Sequence, residues 1–315
     1  MKKLFILFLF SSSVFANNST QRSANDLMYL PNEGGFSVEA EFSSVSDETE
    51  VTFENRNYSS SDGSSSTLDF GITYGVNNST SVQVAAEYEF KNEDETKYGP
   101  ASTSNGETEK EKSKGISDPK LTIKNRIIEQ DATSPNIDLS LFFSPKTGDS
   151  ESASTTKEGN NLRGSHLFGF QADIGKKYDR FQVKASLEFE YYGDTKTKSL
   201  SDGTTTKTDS SQNWTLDLEG QLHLTNNLFT RAAIGFGFFG DQEATTSDGT
   251  KFNTSIDKVV IFNIGVGLDI SDNTSFLAAF GGTKFDYDQN YPASNQTFNI
   301  ERDLTALTLG VRHQF

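Results

Sequence analysis

The stretch "NWTLDLEGQLHL" (213–224) alternates apolar and polar residues without a break. Its even-numbered positions, from Trp214 to Leu224, are apolar apart from one glycine, and its odd-numbered positions, from Asn213 to His223, are all polar. A period of two places the apolar side chains on one face of a β-strand, whereas a helix would scatter them around its axis. The stretch therefore predicts a strand with one apolar and one polar face.

The same alternation recurs along the rest of the chain. It is clear in the segments 36–42, 68–76, 82–90, 137–143, 168–174, 181–191, 228–238, 260–268 and 307–315, and weaker in 121–127 and 276–280. With 213–224 these segments make twelve predicted strands of about ten residues, the length that a tilted transmembrane strand needs.

The connections between these segments alternate between two kinds. Short polar turns lie at 77–79, 129–136, 176–179, 225–227 and 271–273, and long hydrophilic loops lie at 46–66, 92–114, 147–163, 193–212, 240–254 and 286–301. An even number of strands with short turns at one rim and long loops at the other is typical of bacterial outer-membrane barrels. The pattern predicts an all-β fold: a single closed antiparallel transmembrane β-barrel of about 12 strands, with short periplasmic turns and long extracellular loops.

The N-terminal residues precede the first predicted strand and divide into two parts. Residues 1–16 have two lysines, the apolar run "LFILFLF" and a small-residue site ending at Ala16, which is typical of a secretory signal peptide. An uncleaved anchor is the rival interpretation, but the run is too short to span a bilayer. Residues 17–34 form a periplasmic segment whose apolar patch makes it a candidate lumen plug. Residues 35–315 form the predicted barrel.

The alternation alone does not exclude a soluble sandwich or a secreted soluble barrel. Two features favour the outer membrane of a Gram-negative bacterium instead. The polar face is dense in charge at the strand centres, and aromatic residues stand at the strand ends, as membrane interfaces require. These aromatic residues are Tyr88, Phe90, Tyr191, Phe238 and Phe285 near the long loops, and Tyr74, Phe181 and Phe276 near the short turns.

If the apolar parity faces lipid, the other parity lines the lumen. Its charged residues include Glu87, Glu89, Lys120, Lys124, Arg126, Lys184, Glu188, Glu190, Asp217, Glu219 and Arg231. Two interpretations stay open for them. They form an ion-pair network that closes the lumen, or they select the solutes that enter a water-containing passage.

The inward parity of the last three predicted strands is small and apolar. Val259, Ile261, Leu277 and Leu304 would form an apolar lumen wall opposite the charged one. Such a wall receives an apolar ligand or packs against the plug. In a third interpretation, the small residues between these positions only ease strand curvature.

The composition disfavours several classes of function. The chain has no cysteine, which excludes disulfides and thiolate metal sites, and its formal net charge of −16 disfavours nucleic-acid binding. It has three histidines and no Gly-x-Ser-x-Gly elbow, so an interfacial lipase with a serine beside a histidine is the least favoured function. We therefore expect no catalytic residues, no metal site and no cofactor.

The chain ends inside its last predicted strand, "TALTLGVRHQF" (305–315). The last residues of a soluble domain are usually polar and frayed. The closing strand of a barrel is paired on both sides, which would place Leu307, Leu309 and Phe315 toward lipid and Arg312 toward the lumen. A terminal aromatic residue also resembles the signal that the outer-membrane assembly machinery reads, so Phe315 is the predicted assembly signal.

Three stretches resemble a known family of outer-membrane proteins, the meta-pathway phenol-degradation or transporter-like family. They are "FGITYGVNNSTSVQVAAEYEF" (70–90), "GISDPKLTIKNRII" (115–128, matching at Gly115, Asp118, Lys124 and Arg126) and "LSLFFSPKTGDSE" (139–151, matching at Pro145, Thr147 and Gly148). The chain departs from the family pattern at Ser117, Asn125 and Lys146. The resemblance implies a monomeric outer-membrane barrel that passes small apolar or aromatic compounds inward.

These observations together predict a porin-like outer-membrane channel or transporter for passive passage of small molecules, including apolar or aromatic compounds. The alternative is a structural or surface-binding barrel with a closed lumen, in which the long loops are the active part. The expected partners are outer-membrane lipids, the assembly machinery and a solute that the sequence does not identify.

Overall fold

The computed structural model describes residues 24–154, 156–256 and 258–315. These residues form one sheet of eighteen strands. The strands are β1 (Phe36–Phe53), β2 (Arg56–Asn77), β3 (Thr80–Tyr98), β4 (Thr108–Ile116), β5 (Lys120–Ile128), β6 (Asn136–Ser144), β7 (Ser150–Ser152), β8 (Leu167–Lys177), β9 (Phe181–Tyr192), β10 (Thr195–Ser199), β11 (Thr205–Thr208), β12 (Ser211–His223), β13 (Leu228–Phe239), β14 (Gln242–Thr246), β15 (Lys251–Ile256), β16 (Val259–Ser271), β17 (Thr274–Tyr291) and β18 (Gln296–Gln314). Within the same residues, no helix has the length and apolarity needed to cross a bilayer.

Twelve of the strands close into a barrel. Each pairs antiparallel with the next, in the order β1, β2, β3, β5, β6, β8, β9, β12, β13, β16, β17, β18. The last strand then pairs with the first, from Ser37 opposite Gln314 to Phe53 opposite Phe298. Closure leaves no free edge, so every strand finds hydrogen-bond partners on both sides. The predicted closed antiparallel barrel of twelve strands is confirmed.

The barrel has its apolar residues outside and its polar residues inside. On β12, Leu216 and Leu218 are exposed on the outer surface, whereas Gln221 and Glu219 on the other parity are buried. The same arrangement holds on β18, where Leu307 and Leu309 face outward and Arg312 is fully buried. A contiguous apolar exterior of this size is what a lipid bilayer covers. The lipid-facing parity is therefore the one that the alternation predicted.

The five predicted short turns are confirmed. Their residues lie between consecutive barrel strands, at 78–79, 129–135, 178–180, 224–227 and 272–273. Each turn joins antiparallel neighbours at the same end of the barrel, which is the periplasmic end in a barrel of this layout. The long connections consequently all lie at the extracellular end.

The long extracellular connections are present as predicted, and much of their length is β-strand. The predicted loop 46–66 is almost entirely strand, because β1 and β2 run for 18 and 22 residues and meet in a tight turn at Glu54 and Asn55. Both turn residues have positive φ, at 49° and 59°, as a two-residue hairpin turn requires. Beyond the bilayer the outer face meets water and is polar, as the inner face is. The alternation of apolar and polar residues along the strand therefore ends there. The backbone pairing of β1 with β2 continues there, although the alternation that predicts a strand has ended.

The other long connections also contain strands. β3, β17 and β18 extend past the bilayer, and β4, β7, β10, β11, β14 and β15 are short strands within the extracellular region. Several aromatic side chains pack together inside this region. The ring of Phe298 lies 5.0 Å from that of Tyr58 and 5.7 Å from that of Tyr291, and Tyr58 also contacts Tyr98 edge to face. The extracellular end therefore has a small apolar core of its own.

One aromatic residue lies on the opposite face from its prediction. Phe285 was expected in the outer interface band, but it is inward-facing and only 4 % exposed. It belongs to the odd-numbered parity of β17, which carries Leu277 and Ala279 inward, whereas Phe276 and Phe280 face lipid. An aromatic residue near a strand end suggests an interface band only if its parity is also lipid-facing.

Candidate functional site

The barrel encloses a cavity of about 300 Å³. Its walls differ in chemistry. Strands β2, β3, β9 and β12 contribute mainly polar side chains, including eight of the nine carboxylates in the lining, and strands β13, β16, β17 and β18 contribute most of the apolar side chains. The cavity extends from the extracellular part of the barrel, at Asp47 and Asp94, down to Glu219 and Arg231. Its position and its two unlike walls make it the candidate site for a solute.

The apolar wall is built around four packed residues, Ile256, Val259, Phe285 and Leu304. Val45, Phe239, Ile261 and Tyr287 pack against this cluster. Of the four residues predicted for the wall, Val259, Ile261 and Leu304 line the cavity. Leu277 lies elsewhere on the same strands, in a second cluster with Phe229 and Ala279.

Small inward residues make room for these side chains. Gly267 on β16 lies against the ring of Phe229, and a Cβ added there would be 1.9 Å from Phe229 Cζ. Gly237 is similarly close to the ring of Phe239, with 2.7 Å between the added Cβ and Cε2. Gly267 thus accommodates an inward aromatic ring from the neighbouring strand, and Gly237 one from its own strand, in addition to any role in curvature.

The other wall is acidic, and six of its carboxylates fall into two groups. In the first group each accepts a hydrogen bond: Glu87 from Asn161 Nδ2 at 2.7 Å, Glu89 from Ser113 Oγ at 2.8 Å, and Glu190 from the Tyr192 hydroxyl at 2.6 Å. The second group consists of Asp69, Glu188 and Asp217, whose carboxylates have no hydrogen-bond or ion-pair partner among the described residues. The first group is held in place by neutral donors, and the second is free to meet a solute.

The charged residues nearer the periplasm pair with one another. Lys184 Nζ lies 2.9 Å from Glu219, and Arg231 Nε lies 3.5 Å from the same carboxylate. On the neighbouring strands β5, β6 and β8, Lys124 lies 3.3 Å from Asp138 and 3.4 Å from Asp173. Buried charges of opposite sign at these distances stabilise each other in the absence of bulk water.

The remaining predicted lumen residues also face inward. Arg126 Nε lies 2.7 Å from Asp138 and is buried. Lys120 Nζ lies 3.9 Å from the centre of the Phe142 ring, a cation–π contact with an inward aromatic residue. Neither residue lines the cavity, and neither does Lys124. Of the eleven charged lumen residues predicted, the other eight line it: Glu87, Glu89, Lys184, Glu188, Glu190, Asp217, Glu219 and Arg231.

The residues before the first strand lie inside the barrel, where residues 24–30 are buried along their whole length. Three arginines on different strands donate to backbone carbonyls of this segment. Arg126 donates to Met28 O at 2.6 Å, Arg231 to Asn25 O at 2.9 Å, and Arg312 to Ala24 O at 3.0 Å. These three strands lie on different sides of the barrel, so the segment crosses its interior.

Further contacts hold the same segment. Asp26 contacts Lys177 and accepts a hydrogen bond from Gln182 Nε2 at 3.0 Å. Leu27 N–H donates to Gln182 Oε1 at 3.0 Å, and the guanidinium of Arg312 lies 4.7 Å from the ring of Tyr29. The candidate plug was predicted over residues 17–34, of which residues 17–23 and the predicted signal peptide lie outside the described residues.

The chain terminus takes the position expected of a closing strand. Arg312 Nε lies 2.8 Å from Glu39 on β1, inside the barrel. Phe315 is 75 % exposed at the periplasmic rim, and its N–H donates to Phe36 O at 2.9 Å. Its ring packs edge to face on that of His313.

No grouping of histidine, aspartate and glutamate suited to holding a metal ion occurs in the described part of the chain. His223 is the inward-facing histidine, and its ring contacts the amide groups of Gln182 and Gln221. These contacts position the ring at the level of the buried N-terminal segment.

Some residues of the site were not predicted from the sequence. Val45 and Phe239 belong to the apolar wall, although they lie outside the last three strands, and Phe142 faces inward among polar residues. The parity of their strands would have placed all three inward. Their contacts with specific residues on other strands depend on register and shear, which parity does not provide.

The fold resembles that of solved outer-membrane proteins. An outer membrane channel from Pseudomonas putida F1 superimposes with a TM-score of 0.57 at 13% identity, covering 95% of this chain and 99% of that one. The outer membrane protease OmpT from Escherichia coli has a TM-score of 0.38 at 9% identity, covering 91% and 98%. A Pseudomonas aeruginosa FadL homologue has a TM-score of 0.46 at 9% identity, covering 96% and 95%. No curated protein matched in a sequence search.

The apolar exterior and the closed antiparallel fold place the chain in a bacterial outer membrane. Its sequence also matches a family model over residues 29–299, which is most of its length. The chain belongs to the protein family described as "Putative MetA-pathway of phenol degradation".

Proposed function

We propose that the chain is a porin-like channel for the passive passage of small molecules, including apolar and aromatic compounds, across the outer membrane. The observation that carries this proposal is the cavity of about 300 Å³, in which an apolar wall faces an acidic one. A cavity of this size holds a small ligand, and an apolar wall lowers the free energy of an apolar solute that leaves water. Membership of the family supports the same function.

Residues 24–30 act in this proposal as a plug at the periplasmic end of the cavity. Arg231 belongs to both structures, since it lines the cavity and donates to Asn25 O. Hydrogen bonds from a charged donor contribute about 1.5–3 kcal/mol each, so a few of them hold the segment in the passage and still allow it to leave. The segment has to leave, or shift, before a solute reaches the periplasm.

Single-channel recording in planar bilayers tests channel and plug together. The intact protein should conduct little or in brief openings, and a variant lacking residues 17–34 should conduct steadily. Equal conductance of the two proteins would refute the plug. Silence of both at every voltage would refute the channel, provided that each protein shows the heat-modifiable migration on SDS gels that a folded barrel gives.

A closed barrel with a surface role is the second candidate, and the ion pairs around Glu219 and Asp138 are the observation that favours it. In that case deletion of the extracellular strands would abolish function without changing permeability. We propose no enzymatic activity. Absence of labelling by a serine-reactive phosphonate would support this exclusion.

We propose three further properties that follow from a location in the outer membrane of a Gram-negative bacterium. Residues 1–16 are a signal peptide, which N-terminal sequencing of the mature protein would reveal. Phe315 is read by the assembly machinery, so its deletion should slow membrane insertion. The barrel is a monomer surrounded by lipid, since its closure satisfies every strand within one chain.

A further inference from the structure

We infer that the cavity takes an organic cation, a small molecule with an apolar body and an ammonium group. This inference rests on the proposed channel function and names the class of solute for the same cavity. Neither wall alone leads to it, because an apolar wall fits any neutral hydrocarbon and an acidic wall fits any cation.

The cavity is acidic beyond what its own cations neutralise. Its lining contains nine carboxylates, Asp47, Asp69, Glu87, Glu89, Asp94, Glu188, Glu190, Asp217 and Glu219, and three cations, Lys184, Arg231 and Arg302. The three cations are already engaged. Arg302 Nε lies 3.0 Å from both carboxylate oxygens of Asp47, and Glu219 holds Lys184 and Arg231. The negative charge left on the wall is therefore available to a positively charged solute.

Asp69, Glu188 and Asp217 define where that charge meets the solute. They lie on β2, β9 and β12, all three line the cavity, and none has a hydrogen-bond or ion-pair partner among the described residues. All three are only half-buried, so their carboxylates reach the cavity. Carboxylates in such a site require a counter-charge to lower the cost of leaving bulk water.

Two neutral polar side chains of the cavity lining also lack hydrogen-bond partners for one atom each among the described residues. Asn213 and Thr283 line the cavity and are 6 % and 4 % exposed, and Asn213 Oδ1 and Thr283 Oγ1 have no hydrogen-bond partner in the described part of the chain. A buried acceptor without a donor is destabilising, which suggests that a ligand completes the site. An ammonium group has three donors and no acceptor, which suits carboxylates and an amide oxygen.

The apolar wall determines the chemistry of the uncharged part of the solute. Val259, Ile261 and Leu304 line the same cavity as the carboxylates. Phe285 presents an aromatic ring from the same side. An inorganic cation would gain nothing from this wall, and an anion would be repelled by the other. A molecule with a cationic head and an apolar body contacts both.

Binding to the intact, detergent-solubilised protein tests the inference independently of transport. The probes are benzylammonium, benzyl alcohol and benzoate, which share one ring and differ in charge, together with NH₄Cl as an ammonium without an apolar body. We expect benzylammonium to bind at least tenfold more tightly than benzyl alcohol, and benzoate and NH₄⁺ to bind more weakly still. Equal affinities for benzylammonium and benzyl alcohol, or for benzylammonium and NH₄⁺, would overturn the inference.

Variants locate the binding. The combination Asp69→Asn, Glu188→Gln and Asp217→Asn should reduce benzylammonium affinity to that of benzyl alcohol. The matched combination Glu48→Gln, Glu107→Gln and Asp286→Asn removes three exposed carboxylates and should leave the affinity unchanged. Heat-modifiable migration verifies that both proteins fold. An unchanged affinity in the first variant refutes the assignment. Flux of the same probes into proteoliposomes is a separate readout, and its absence with binding intact would refute the channel and not the site.

Discussion

Arg312 illustrates how one buried residue joins the barrel wall to the N-terminal segment. It is fully buried, forms an ion pair with Glu39 at 2.8 Å, and donates to Ala24 O at 3.0 Å. A guanidinium with several donors in a fixed fork can make both contacts at once, whereas a lysine could not reproduce that geometry. The closing strand therefore stabilises both the seam with β1 and the segment inside the lumen.

Replacement of Arg312 by alanine should free the N-terminal segment. Removing one partner of a buried ion pair costs about 3–5 kcal/mol because the other charge stays buried. We expect the variant to open more often in single-channel recordings and its N-terminal residues to become cleavable by added protease. Arg56→Ala is the control, since Arg56 pairs with the exposed Glu54 at the extracellular tip. Unchanged opening and unchanged cleavage in Arg312→Ala would contradict the proposed role.

The alternation of single residues predicted more about orientation than about contacts. It assigned Glu219 and Arg231, which are buried, to the inward face, and it would have assigned Phe285 there too had parity outweighed its position at a strand end. It could not predict that Arg126 would donate to Met28 O, because backbone carbonyls of a distant segment leave no mark in the sequence. Partners across a lumen depend on shear and strand order.

At the scale of elements, β16 and β17 show how small residues shape the wall. Replacement of Gly267 by alanine would place a Cβ 1.9 Å from Phe229 Cζ, and Phe229 is fully buried. Overpacking of this kind destabilises by about 1–3 kcal/mol. We expect a lower denaturant midpoint in refolding experiments. Gly220→Ala on the lipid-facing side is the matched control, because its nearest neighbour is Phe181 Cε2 at 3.7 Å. Equal midpoints for the two variants would argue against tight packing at Gly267.

The pairing of β3 with β4 outside the membrane depends on a ladder of ion pairs. Glu93 lies 2.5 Å from Lys112 and 2.7 Å from Lys91, and these contacts lower the pKa of Glu93 to about 2. A lowered carboxyl pKa contributes stability above the unfolded value of about 4.3. That contribution is lost as the pH falls through about 2. Below that pH the ion pairs of Glu93 no longer stabilise the pairing of the two strands.

Hydrogen exchange measures this loss directly. Amide protection of β4, corrected for intrinsic rates, should decrease between about pH 4 and pH 2 in the native protein. It should be weaker and change less with pH in Glu93→Gln, in which the Glu95–Lys110 pair remains. Added salt should reduce the protection at neutral pH, because the ladder is exposed and screening weakens exposed pairs. A pH-independent protection of β4 in the native protein would contradict the assignment.

The extracellular extensions mark the limit of element prediction from this sequence. Within the bilayer, lipid imposes an apolar outer face, and the strands were recognisable from it. Outside the bilayer both faces of β1 and β2 meet polar surroundings, and the 46–66 stretch lost its alternation although its backbone stays paired. Ser- and Thr-rich extended strands are consequently hard to distinguish from loops by pattern alone.

At the scale of the whole molecule, a closed barrel separates two chemical environments. Its outside has to match lipid, which fixes strand number, length and turn placement, and these features were predictable. Inside, the side chains need only satisfy one another's charges and hydrogen bonds. The same polar parity contains the ion pairs around Asp138 and also Asp217, which has no hydrogen-bond or ion-pair partner among the described residues. Composition cannot distinguish a lumen closed by ion pairs from one that selects solutes, because the two differ in which charged side chains contact each other.

Ion selectivity distinguishes a lumen whose charges are paired from one whose carboxylates meet passing ions. A variant lacking residues 17–34 should be cation-selective in a KCl gradient because the cavity lining has more carboxylates than cations. Selectivity should weaken toward 1 M salt, where the screening length falls to about 3 Å from about 10 Å at 0.1 M. Adding Asp69→Asn, Glu188→Gln and Asp217→Asn should move the reversal potential toward zero. The exposed set Glu48→Gln, Glu107→Gln and Asp286→Asn should shift it much less. If the exposed set shifted it equally, the extracellular surface and not the cavity would govern which ions enter.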